Sequence, residues 1–181
     1  MKETFIEIIN YIKKPTNEKD SNTNYKYRSR KFFLILLICL ITSFALSPIF
    51  LVFEYFEIVD MENHKVEEML KNMSNLQNFI AISLIAPLFE ELLFRAPITT
   101  FKKPLFFKIA FYTFTLLFGY VHLTNFDINT NTLLFSFFLV LPQIILGFYL
   151  GYIRVKFGLL WAILLHSSYN SIVFILSLLE P

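Results

Sequence analysis

Between Phe32 and Phe53 the chain runs without a single charged side chain. That run is long enough to cross a hydrocarbon core, which takes about 20 residues of helix. About 30 mostly polar residues precede it, which does not fit a cleaved signal peptide. Further apolar runs follow. They cover about Leu76 to Ile98 (interrupted by Glu90, Glu91 and Arg95), about Phe106 to Phe126 (with His122), Thr132 to Ile153 (with Pro142 as an expected kink) and Phe157 to Leu179 (with His166 and Asn170). The expectation is an all-α, polytopic membrane bundle of about five transmembrane helices. Composition agrees. Of 181 residues, 56% are hydrophobic and 17% charged, against roughly 25% charged in a soluble domain. Length leaves room for one domain.

Loop charge sets the expected orientation. Residues 1–31 carry Lys2, Lys13, Lys14, Lys19, Lys26, Arg28, Arg30 and Lys31. Lys102, Lys103 and Lys108 follow the second run, and Arg154 and Lys156 the fourth. The other side holds only Lys65 and Lys71, diluted among Glu54, Glu57, Asp60, Glu62, Glu67 and Glu68. Basic loops stay inside, so the N-terminus is expected in the cytoplasm and the C-terminus outside. Residues 1–31 then form a basic cytoplasmic tail and 32–181 a transmembrane domain. Within the tail, Phe5, Ile8, Ile9 and Ile12 recur at helical spacing. They fit a short helix lying on the bilayer, or else a loose basic tail. Asn17 to Asn24 reads as a disordered linker.

Other features are bland. The net charge of +2 is not pooled into one basic face, so no nucleic-acid partner is expected. The lone Cys39 excludes a disulfide framework and reads as a packing residue. Gly147 and Gly151 fit ordinary helix packing. Trp161 fits a core or interfacial anchor, and His64 a solvated loop.

Ionisable groups at membrane depth cost a few kcal/mol or more, so each is a functional candidate. Here they are Glu90, Glu91, Arg95, His122 and His166. Glu91 and Arg95 are four apart and able to pair, which reads mainly as a structural ion pair. Glu90 is turned about 100° from Glu91, out of easy reach of Arg95. Pro87, one turn earlier, lacks an amide hydrogen and could open the helix to water. His166 and Asn170 share one helix face. Buried polar groups want partners, so these residues are expected to meet in one cavity. A carboxylate and an imidazole sharing a water suit general-base catalysis, and a second His with an Asn amide suits an oxyanion. The same set could hold zinc through Glu90, His122 and His166. Spacing does not choose between the two. At about 1.5 Å per residue, Glu90 falls toward the inner end of its span and His122 toward the outer end of its own. A shared site therefore needs tilt, a break near Pro87, or a later start for the third span.

The segment Glu90-Glu91-Leu-Leu-Phe-Arg95 resembles the EExxxR motif of the CPBP intramembrane proteases, the Abi-type relatives of type II CAAX prenyl endopeptidases. Phe118-Gly-Tyr-Val-His122 resembles the family's FxxxH element, and His166-Ser-Ser-Tyr-Asn170 its HxxxN element. The likeness covers about residues 76–179. It implies a multi-pass helical fold with the active site in a membrane cavity opening toward the cytoplasm. It implies that Glu90 and His122 activate the water, that His166 and Asn170 stabilise the oxyanion, and that Glu91 and Arg95 support them, without a metal cofactor. The chain departs from the pattern in its long basic tail and in having one span before EExxxR.

The leading expectation is thus a bacterial, membrane-embedded endopeptidase acting on a membrane-associated peptide or protein. One alternative is a non-catalytic membrane partner such as a bacteriocin self-immunity protein. A proton-coupled carrier using Glu90 fits less well, since the sequence has no internal repeat.

Overall fold

The computed structural model describes residues 1–59 and 72–179. Most of the acidic stretch, His64, Lys65 and Lys71 lie outside the described residues, as do positions 180–181. Among the described residues every regular element is helical, and the protein is an all-α membrane bundle.

Helix α1, Lys2–Lys13, does not lie free on a surface. Its Ile8 is fully buried, and Tyr11 sits edge-on to Phe111 and Tyr152 at ring distances of 5.7 and 5.2 Å. Ile8 of the expected apolar face is spent on the protein's own core, while Phe5 stays exposed and Ile9 and Ile12 are half-buried. The following segment is not disordered either. Asn17 Nδ2 donates to the carbonyls of Thr99 (3.2 Å) and Phe101 (3.1 Å), and the Asp20 amide donates to the Lys156 carbonyl (3.1 Å). Polar composition signals a loop, but which distant carbonyls its side chains satisfy is decided by the fold.

Helix α2, Tyr25–Leu46, is capped by Asn24, whose side chain accepts from the Tyr27 amide. It passes through Ser47 into α3, Pro48–Tyr55, with Pro48 in the first turn where its missing amide hydrogen is harmless. Among the described residues three stretches are long and apolar enough to cross a membrane: Tyr25–Tyr55, Pro104–Asn125 and Leu159–Ser177. The other two expected spans are helical but interrupted.

The run carrying Glu90 is built from four short pieces. Helix α4, Asn75–Ile80, starts on a Ser74–Gln77 capping box. A π turn, Ala81–Ile85, leads into α5, Ala86–Glu90, and a second π turn, Glu91–Arg95, ends the run. The π bonds run from the Ala86 amide to the Ala81 carbonyl and from the Ala96 amide to the Glu91 carbonyl. In both cases the next residue is a proline, Pro87 or Pro97. A proline has no amide hydrogen and its ring clashes with the carbonyl four residues back. A widened turn relieves that clash.

Helix α6, Pro104–Val121, continues as a single 3₁₀ turn, His122–Asn125. Short helices α7, Thr130–Leu134, and α8, Ser136–Leu139, precede α9, Leu141–Phe157. The fourth run is therefore not one helix kinked at Pro142. The chain breaks at Phe135 and Val140, and Pro142 sits in the first turn of α9. Gly158, at φ +108°, joins α9 to α10, Leu159–Ser177, a backbone conformation open to glycine. Helix α9 is the centre of the core, packed against α2, α6 and α10. A Cβ at Gly151 would come within 2.8 Å of the Phe111 ring, so this glycine sets how closely α6 and α9 approach. Trp161 packs on Phe32 and Phe157 at ring distances of 5.7 and 5.9 Å, as an anchor for α2 and α10.

Candidate active site

Glu91 and Arg95 are both sealed from solvent, at 0% exposure. Arg95 Nε lies 3.7 Å from Glu91 Oε1, and its guanidinium carbon is 3.7 Å from the centroid of the Phe118 ring. The charge is thus held by a carboxylate on one side and a π face on the other. Gly147 makes the room: a Cβ there would sit 3.2 Å from both Arg95 Nη2 and Phe118 Cδ1. Neither Phe118 nor Gly147 stands out as a site residue in the sequence. The motif spelling contained Phe118, and only packing was read from Gly147.

His166 is almost fully buried between the two glutamates. Its Nδ1 is 3.0 Å from Glu91 Oε1 and its Nε2 is 3.6 Å from Glu90 Oε2. A carboxylate can only accept, so the His166 ring proton belongs on Nδ1. Glu90 differs from its neighbour in exposure, 27% against 0% for the side chains. The angular offset between adjacent helix positions has this result: one carboxylate is locked behind His166 and the other opens on a cavity.

His122 caps the end of α6, and its Nδ1 donates to the Phe118 carbonyl at 2.8 Å. That leaves Nε2 as an acceptor. Phe118 also packs edge-on against both histidines, at ring distances of 5.0 Å to His122 and 5.6 Å to His166.

Asn170 Nδ2 donates to the Ile82 carbonyl at 2.9 Å. In an α-helix that carbonyl would receive the Ala86 amide, but Ala86 bonds to Ala81. A π bond would come from residue 87, which is proline. Asn170 therefore pairs a carbonyl that the π turn and Pro87 together strand. A carboxamide has a second N–H, and Asn170 lines the cavity.

The cavity has a volume of about 890 Å³ and is lined by Glu90, Phe118, His122, His166 and Asn170, among others. Residues that depth counting put at opposite ends of two spans share one space. Of the ways to reconcile that count, the run carrying Glu90 is broken near Pro87, while α6 starts no later than expected. Glu91 and Arg95 stand behind His166 rather than in the cavity. Among the described residues no group of three or more His, Cys, Asp or Glu side chains is arranged to hold a metal ion.

Residues 72–172 match the family described as type II CAAX prenyl endopeptidase Rce1-like. The match covers more than half of the chain and includes every candidate site residue above. The chain belongs to this family. No curated protein and no solved structure matches it. As an Rce1-like protein it is a member of a protease family, and its apolar helices make it a multi-pass membrane protein.

Proposed function

We propose that this Rce1-like protein is an intramembrane endopeptidase of a bacterial cell membrane that hydrolyses a peptide bond of a membrane-associated substrate. The observation that carries the reading is that Glu90, His122, His166 and Asn170 line one cavity inside a membrane bundle. In this mechanism Glu90 and the free Nε2 of His122 draw a proton from a water molecule. The water oxygen adds to the scissile carbonyl carbon. The resulting oxyanion is met by the second amide hydrogen of Asn170 and by His166, whose ring Glu91 orients through Nδ1. Collapse of the tetrahedral adduct breaks the C–N bond, and the proton taken from water passes to the leaving amine. Arg95 balances the buried charge of Glu91, so that Glu90 remains the carboxylate open to water.

The test is cleavage of candidate membrane peptides by purified protein. Glu90→Gln keeps the shape of the side chain and removes its basicity, so hydrolysis should fall by roughly 10²–10⁴. Prolonged chelation should leave activity intact. Activity lost to a chelator and restored by zinc would instead make Glu90, His122 and His166 ligands. A Glu90→Gln protein that retains its cellular effect would point to a non-catalytic partner, such as a self-immunity protein.

A further inference from the structure

The rim of the cavity is assembled from one end of each helix around it. Asn75 and Asn78 open the motif run, Thr124 and Asn125 close the α6 segment, Gln143 opens α9, and Ser177 closes α10. The basic residues sit at the other end of the same elements. Lys102 and Lys103 precede α6, while Arg154 and Lys156 occupy the last turn of α9. Among the described residues that line the cavity, none is Lys or Arg. Basic loops mark the cytoplasmic side of a membrane protein. The family resemblance by itself implies a cavity open to the cytoplasm, and the charge distribution of this chain points the other way.

We propose that the cavity opens to the face of the membrane away from the cytoplasm and takes an extended peptide segment from that side. The rim fits such a ligand. It presents three asparagines and a glutamine, and a carboxamide both donates and accepts in the way a peptide unit does. Helix ends at the rim lie where bilayer gives way to water, so a polar chain can enter without crossing hydrocarbon. Deeper in, Ile82, Ala86, Leu146 and Val173 give an apolar wall for side chains before the peptide reaches Glu90. The cytoplasmic end is closed by the docked α1 and by Arg154, which ties α9 to the carbonyls of Arg95 (3.1 Å) and Ala96 (3.4 Å). The peptide as ligand rests on the proteolytic reading above. The direction of opening does not.

The experiment uses the full chain in intact cells. Cys39 is buried and is removed as Cys39→Ala to leave a cysteine-free background. Ala86→Cys then places a thiol in the cavity one turn from Glu90, and Lys103→Cys places one at the basic end. A small, charged, membrane-impermeant methanethiosulfonate should modify Ala86→Cys in intact cells and Lys103→Cys only after permeabilisation. If Ala86→Cys does not accumulate, Val173→Cys on the cavity wall gives the same readout. Modification of the cavity thiol only after permeabilisation, or from neither side, overturns the proposal. A second arm supplies a membrane-impermeant, quenched-fluorescence peptide mixture to right-side-out and inverted vesicles. Cleavage only in right-side-out vesicles is expected, and cleavage only in inverted vesicles overturns it. If neither cleaves while the cavity thiol labels from outside, the protease reading fails and the outward opening stands.

Discussion

The two ends of this bundle are built differently. At the basic end, side chains reach across the sequence. Arg154 bonds Thr99 Oγ1 at 2.8 Å as well as the carbonyls of Arg95 and Ala96 at the end of the second π turn. Glu7 pairs with Lys31 and accepts from the Tyr152 hydroxyl, and the Tyr112 hydroxyl donates to the Ile12 carbonyl at 2.7 Å. Around the cavity Asn170 and Tyr169 still bond across the sequence, to the Ile82 carbonyl and to Ser43 Oγ, but Thr124, Thr132 and Ser177 each return to a carbonyl only a few residues back, those of Val121, Asp127 and Phe174. Cross-linked polar contacts raise the free energy of local opening, and local ones do not. The contrast teaches that one end serves as a base tied to the N-terminal helix, while at the other the outermost polar side chains are held only by their own turns.

The sharpest way to break the comparison is Arg95→Ala. If Arg95 is chiefly a structural partner of Glu91, removing it strands a buried carboxylate at a cost of about 3–5 kcal/mol. Protein level in the membrane and thermal midpoint should then fall together with activity. Normal abundance with abolished activity would move Arg95 into the chemistry. Next in size is Asn170→Ala, beside the cavity: if Asn170 is the proposed oxyanion donor, its loss costs about 10²–10³ in rate. It also strands the Ile82 carbonyl, so a purely structural role would show as lost thermal stability at unchanged rate per folded molecule.

How much of this was legible beforehand can be read from particular residues. Hydropathy and the three motifs marked the helical membrane class, the family and the residues that meet in the cavity. Pro87 was readable as a weak point. The π turns were not, because a widened turn depends on which carbonyl loses its donor, and hydrophobic patterning carries no record of that. The docking of α1 was equally hidden. Phe5, Ile8, Ile9 and Ile12 mark an apolar stripe, but a stripe does not say whether lipid or Phe111 covers it. Breaks at Phe135 and Val140 escaped because an unbroken apolar run looks the same whether it is one helix or three.

Smaller perturbations sharpen the contrast at the base. Arg154→Ala removes bonds from a charged donor, each worth about 1.5–3 kcal/mol, and should lower the thermal midpoint. Arg154→Lys keeps the charge without the planar fork, and intermediate stability would confirm that geometry matters there. Glu7→Gln should change least. Its pairing with Lys31 is solvent-accessible, and exposed pairs contribute about 0–1 kcal/mol. A loss larger than that of Arg154→Ala would show that α1, not the α9 arginine, secures the base.

The π turn at Ala81–Ile85 has a consequence for how such a helix tolerates change in length. It holds one residue more than an α turn would need to close the same bond. Everything after it is rotated by about 100° relative to an uninterrupted helix. Glu90 faces the cavity, and Glu91 faces His166, only in that shifted phase. Regularising that turn with every residue kept would turn both carboxylates away, although no motif residue had been touched, whereas deleting one residue between Ala81 and Ile85 together with the bulge would keep their phase. In this helix spelling and phase are separate requirements, and a chain that keeps every letter of EExxxR and every residue before it still has to keep the widened turn.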